Sequence, residues 1–247
     1  VSSWDQTNKL IKVKSSEISN WALLNQAEMH ITRHWTLGSF RIKSFASSGS
    51  IASITLQDAD KNKAFNDHSS FSYDNPYFFE NAYEHLDREG EWYMNPSTSE
   101  LFYKLRAGED ISTAVIVAPA LENLVTFSGS LDSPVRNIQL HGLTFKDTTW
   151  YYPNTAPVRG GQAEEIDDSK LAATVLLQNS NNILLERNVF YNLGGNGIAL
   201  YTANSDNIIR GNVLRDIAIG GIGVAPARIR NPADSRVVTR RNKVTNN

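Results

Sequence analysis

An eleven-residue pattern returns along the C-terminal half of this chain, and that recurrence restricts the fold more than any other feature. Ser180-Asn181-Asn182-Ile183-Leu184-Leu185-Glu186-Arg187-Asn188-Val189-Phe190 is matched by Ser205-Asp206-Asn207-Ile208-Ile209-Arg210-Gly211-Asn212-Val213-Leu214. A weaker copy spans 236–244, and a fourth lies upstream at 137–145. Asn188, Asn212 and Asn242 are expected at one repeat position, spaced by 24 and then 30 residues. The extra residues of the second interval are assigned to the loop 225–234. The interval of 45 from 143 to 188 holds a larger insertion, 148–170. A period in the twenties, built of short β-rich runs broken by Gly and Asn, is the mark of a β-solenoid. A leucine-rich repeat fits less well, because the Leu spacing is wrong and β-branched residues dominate.

The physics of such a chain is simple. No single coil of three short strands can bury its own apolar face, so coils stack at about 4.8 Å per step. Ile183, Leu185, Ile208, Val213 and Leu214 are expected to fill the tube. An Asn recurring at one turn can bond to the Asn above and below it, satisfying backbone that the turn leaves unpaired. The Asn column is therefore architecture. Gly194-Gly195-Asn196-Gly197 reads as a solenoid turn, since no Gly-Lys-Ser/Thr follows it as in a phosphate loop.

The region 1–133 is expected to be an irregular β-rich part leading into solenoid coils at 134–247. Leu10 to Val13 alternates, Ile18 to Leu24 suits one or two helical turns, and Glu28 to Phe45 suits two strands around a turn at Gly38. Residues 58–75 are polar and read as an exposed loop, with Pro76-Tyr77-Phe78-Phe79 buried after it. Two aromatic-rich runs flank Asn95-Pro96-Ser97-Thr98, which predicts a β-hairpin over 86–104. Its structural role outweighs a catalytic one for Glu91. A further strand is predicted at Thr113 to Ala118.

Composition removes several functions. The net charge of -2 gives no reason to expect nucleic acid or an anionic membrane as partner. The absence of Cys excludes disulfides and thiolate chemistry. No apolar run is long enough to span a membrane, and no signal peptide pattern opens the chain. The chain starts at Val1 without a Met and stops at Asn247 in what reads as mid-turn, so it is expected to be a piece of a longer protein. His30-Ile31-Thr32-Arg33-His34 has two-His spacing but lacks the Glu of a zinc helix and reads as a strand, so no metal and no cofactor is expected.

Phe79-Glu80-Asn81, then Leu86-Asp87 to Glu91-Trp92-Tyr93, then Leu101-Phe102-Tyr103 form an ordered series. They are followed by Ile138 to Phe145, Trp150, Gly160-Gly161-Gln162-Ala163 and the Asn-rich stretch 172–247. From about residue 76 onward this order resembles bacterial right-handed parallel β-helix proteins of the pectin-lyase-like superfamily, and glycoside hydrolase family 141 in particular. The resemblance implies an all-β, right-handed parallel β-helix acting on a polysaccharide or oligosaccharide, secreted or held at the cell surface or in the periplasm.

Glycoside hydrolysis needs a pair of carboxyl groups, and coil spacing supplies a ruler for them. Adding 45 and then 24 to Asp147 reaches Asn192 and Asp216. Asp147 and Asp216 are therefore the candidate catalytic pair, of inverting type if they point outward. The alternative is that all three residues bond to their own turns, as Asp and Asn commonly do. Trp150, Tyr151, Tyr152, Arg159 and Gln162 in the insertion are candidates for holding sugar, by stacking and hydrogen bonding. The run Glu164, Glu165, Asp167 and Asp168 reads as a solvated face and lacks calcium-loop spacing. Arg228, beside Arg230, could grip a uronate carboxylate. A polysaccharide lyase and a non-catalytic glycan-binding or adhesin β-helix remain open beside the hydrolase.

Overall fold

The computed structural model describes residues 1–32, 36–65, 75–151, 158–161 (backbone only), 172–224 and 232–247, and of Thr36 the backbone. Contacts divide the chain into two units: Val1–Val115 with Pro153–Glu165, and Ile116–Tyr152 with Ile166–Asn247.

The second unit is a parallel β-helix with three walls. One wall stacks Gln139–His141, Leu184–Glu186, Ile208–Arg210 and Lys243–Thr245. The next stacks Thr144–Thr148, Val189–Leu193 and Val213–Ile217. The third stacks Val125–Ser128, Ala173–Gln178, Asn196–Leu200 and Ile222–Val224. Because Val125–Ser128 pairs with Ala173–Gln178, the helix takes in residues upstream of 134. Inside the tube Phe145 stacks on Phe190 with ring centroids 4.8 Å apart, among Leu185, Ile198 and Ile209. Two expected core residues face the other way. Ile208 is only partly covered and Val213 is exposed, while Ile209 is buried. Strand side chains alternate, so a one-residue change of phase turns a whole set outward.

The turns follow a rule of five. Asn137, Gly142 and Asp147 have positive φ, as do Asn182, Arg187 and Asn192 one coil on. Asp206, Gly211 and Asp216 repeat this, and Arg241 and Asn246 begin it again. Left-handed backbone is tolerated best by Gly, Asn and Asp, which explains their enrichment here.

The Asn ladder is present, with a corrected register. Ile208 pairs with Lys243, so the third interval is 35 residues and not 30. Asn242 therefore lies under Asn207, and Asn247 lies under Asn212. The last two coils each carry two Asn five positions apart, Asn207 with Asn212 and Asn242 with Asn247, and the sequence match had slipped by one such step. Asn212 Oδ1 accepts from the Asn188 backbone N–H (2.9 Å) and from its Nδ2 (3.0 Å). Its own Nδ2 donates to the Leu185 carbonyl (3.0 Å) and to Asn247 Oδ1 (2.8 Å).

The first unit is an antiparallel sheet in the order Ser3–Asp5, Leu10–Lys14, Ile51–Leu56, Thr36–Ser48, Glu28–Thr32, Tyr77–Glu80. Its inward residues Ile11, Val13, Met29, Ile31, Phe40, Ile54 and Leu56 form a core of their own. Gly38 is not a turn residue but sits within a strand opposite Ile31. A Cβ there would come within 2.4 Å of the Phe40 ring, which accounts for the glycine. Part of the stretch expected as a loop is the helix Asp58–Phe65. Its buried Asp60 accepts from the Arg41 backbone N–H (2.7 Å) and from Nη2 (2.7 Å), a long-range pair that local polarity does not reveal. Tyr77–Glu80 is a strand with alternate residues covered, so Phe78 is exposed rather than buried. The hairpin forms as predicted, Trp92–Asn95 against Glu100–Tyr103. No strand forms at Thr113 to Ala118; Val115 is 90% exposed, and the division between the units falls directly after it.

Candidate functional site

On the Thr144–Thr148 wall, stacking brings together residues far apart in sequence, with Lys146, Tyr191 and Arg215 on its outer side. Lys146 pairs with Tyr191 and Tyr191 with Arg215, while Thr148 pairs with Leu193 and Leu193 with Ile217. Asp147, Asn192 and Asp216 thus occupy one column at the edge of the wall, each in left-handed conformation. The column foreseen from the offsets of 45 and 24 is the one the structure contains. Asn192 Nδ2 donates to Asp147 Oδ1 at 3.4 Å. Lys146 Nζ lies 3.2 Å from Asp147, and Arg215 Nη1 lies 2.5 Å from Asp216. The Asp147 side chain is 18% exposed and that of Asp216 60%. Two steps of about 4.8 Å separate these rungs, close to the carboxyl spacing of inverting hydrolases.

Beside this column runs a ladder of cations and an aromatic ring. Arg215 lies over the Tyr191 ring at 4.5 Å from its centroid, with Lys146 at 6.0 Å. Hydrogen bonding to Asp147 holds the Lys146 ammonium above its ordinary range.

A second charged column was not singled out from the sequence. His141, Glu186 and Arg210 stack on the outer face of the neighbouring wall. Arg210 Nε donates to Glu186 at 2.6 Å, and His141 Nε2 lies 3.5 Å from the same carboxylate. The Arg210 guanidinium holds the Glu186 carboxyl below its usual range, against a smaller opposing effect of burial. The signal was available, since adding 45 and 24 to His141 reaches Glu186 and Arg210.

The other candidates are more dispersed. Trp150 and Tyr151 follow directly on the wall strand. The Tyr151 backbone N–H donates to Glu122 (2.7 Å) and its hydroxyl to the Ala120 carbonyl (3.2 Å), which fixes the ring beside the 120–122 segment. The backbone of Val158–Gly161 joins the sheet of the first unit, placing Arg159 opposite Gly38. Tyr152, Gln162, Arg228, His34 and the acidic run 164–168 lie outside the described residues. No cluster of His, Asp and Glu suited to a metal occurs among the described residues.

These walls, turns and ladders define a right-handed parallel β-helix, preceded by an antiparallel β module. Residues 125–247 match the family model described as right handed beta helix region, and residues 1–106 match the GH141 insertion domain. The chain is a GH141-like β-helix protein. A solved structure described as "Glycoside hydrolase" is similar to it at 26% identity and a TM-score of 0.86, over 98% of this chain and 48% of that one. The chain thus spans about half the length of the structure it matches. No curated protein matches it.

Proposed function

We propose that the protein is a glycoside hydrolase, cleaving an O-glycosidic bond of a plant or host polysaccharide laid across the outer wall of its helix. The observation that carries this reading is the similarity to a glycoside hydrolase along nearly the whole chain. The column Asp147–Asn192–Asp216 supports it chemically. Asp147 would protonate the leaving oxygen, and Asp216 would activate a water on the opposite face of the sugar, with Asn192 holding Asp147. Lys146 and Arg215 would shift away from the carboxylates as substrate enters. Trp150 and Tyr151 offer aromatic faces to sugar C–H groups, with Tyr152 and Arg228 of the same unit as further contacts.

The test uses oligosaccharides and their aryl glycosides. Asp216→Asn should lower turnover on every substrate by about a hundredfold or more. Asp147→Asn should do so on natural substrates while sparing aryl glycosides, whose leaving group needs no proton. Unchanged turnover in both variants would sink the pair. An unsaturated, ultraviolet-absorbing product would replace hydrolysis by lyase chemistry, and saturable binding without turnover would leave a glycan-binding wall.

A further inference from the structure

A polar groove lies at another corner of the same helix, away from the carboxylate column. Arg136 pairs with Asn181, Asn181 bridges to Ser205, and Ser205 bridges to Arg240, so these four residues share one position on successive coils. They line a cavity of about 200 Å³ together with Asn179 and Arg236. Three coil steps, about 14 Å along the axis, separate the two terminal arginines.

The charges in this groove are unequal. Arg236 is neutralised: it donates to Asp132 (2.7 Å) and Asp234 (2.7 Å) and so ties the turn near Ser130 to the lower coil. The nearby carboxylate of Asp206 is taken by Arg241 in a two-pronged pair at 2.7 and 2.6 Å. Arg136 and Arg240 have no ion pair or side-chain hydrogen bond among the described residues; Arg240 is close enough to Asp206 only to help Arg241 hold that carboxyl below its usual range. Between them, Ser205 Oγ donates to Asn181 Oδ1 (2.9 Å), which leaves the Asn181 amide nitrogen as a donor without a protein partner among the described residues. The groove therefore offers a cation at each end and one neutral amide donor between them.

We propose that this corner groove binds an acidic oligosaccharide, with Arg136 and Arg240 each gripping the carboxylate of a uronic acid residue and Asn181 serving a ring hydroxyl between them. Guanidinium groups match carboxylates in plane and charge, and the line of amide and hydroxyl groups suits a hydroxylated chain better than a bare anion. The inference rests on the glycan reading above and adds the class of sugar to it. It places substrate capture at a corner distinct from the carboxylate column.

Calorimetric titration of the full chain tests this, with an oligogalacturonide, a neutral galactan oligomer of equal length, and inorganic sulfate as probes. The oligogalacturonide should bind at least tenfold more tightly than the neutral oligomer, with affinity falling as salt rises. The double variant Arg136→Gln/Arg240→Gln should lose about tenfold or more of that affinity. Lys243→Gln, which removes one exposed charge from a neighbouring wall, should leave it unchanged. Equal affinity of the double variant and the parent for the uronate oligomer would overturn the inference. So would neutral oligomer binding parent and variant as tightly as the uronate does, although the glycan reading would then survive. Sulfate binding that depends on both arginines, with no sugar bound at all, would overturn the uronate assignment and count against the glycan reading itself.

Discussion

Asn212 shows what one residue does in this wall. Its buried amide makes four ladder contacts to three residues on the coils above and below. Replacing it by Ala strips partners from the Asn188 N–H and the Leu185 carbonyl at a site that water does not reach. Asn212→Ala should therefore cost about 2–4 kcal/mol, read as a lower denaturant midpoint at constant slope. A loss below about 0.5 kcal/mol would mean that water or a neighbour replaces the ladder. The role of these asparagines was legible in the sequence, because an amide is the side chain that donates and accepts along a stack. Their register was not: Asn207 and Asn212 are interchangeable by composition, and only pairing distinguishes them. Asp147 and Asp216 pose the converse difficulty. Sequence places them in one column, but the left-handed backbone that explains Asp and Asn at turns also explains these two, so their chemistry is not separable from their geometry by residue type.

At the level of elements, the strand Glu28–Thr32 carries a titrating group into the first unit. His30 is buried, stacked on Phe78 with centroids 4.8 Å apart, and Ser39 Oγ lies 2.7 Å from its Nδ1. Its Nε2 lies 3.1 Å from Glu80 and 3.4 Å from Glu28. Burial pulls the imidazole down, but the carboxylates of Glu28 and Glu80 beside Nε2 outweigh it and raise it to about 9, from an ordinary 6.5. A raised value in the folded state means that folding favours the proton. The stabilisation is thus fully present below about pH 6.5 and is lost as pH rises through about 9. Melting temperature compared between pH 6 and pH 10 should fall more for the parent than for His30→Gln; equal falls would remove His30 from the account. The paired-His spacing had drawn attention to this strand as a metal motif and rejected it, and the two glutamates that define its real surroundings come from residues 28 and 80. The same limit applies to Asp58–Phe65, where a polar run hides a helix because its one buried acid is satisfied from Arg41.

Across the molecule, the largest apolar core of each unit shares no residue with the other among the described residues. Each is expected to melt on its own account. Breaking the buried Arg41–Asp60 pair by Asp60→Asn should cost about 3 kcal/mol and lower only the transition of the antiparallel unit. Asn212→Ala should lower only that of the helix. Calorimetry showing one transition, displaced equally by both substitutions, would mean that the cores melt together. The helical half was readable in advance because its repeat is written into the chain, whereas the antiparallel half depends on pairings between segments with no periodic signature.

The coil intervals of 45, 24 and 35 residues carry a consequence for how this chain tolerates change. Every interval, whatever its length, advances the wall by the same rung, because height is set by ladder pairing and not by the amount of chain between rungs. Eleven added residues at a corner therefore leave the frame undisturbed, while deletion of a single residue between Asn207 and Asn212 would turn the following strand inside out. In such a molecule large edits at the corners are conservative and the smallest edits within a rung are radical. Variation should accumulate there as swapped outgrowths on a fixed post.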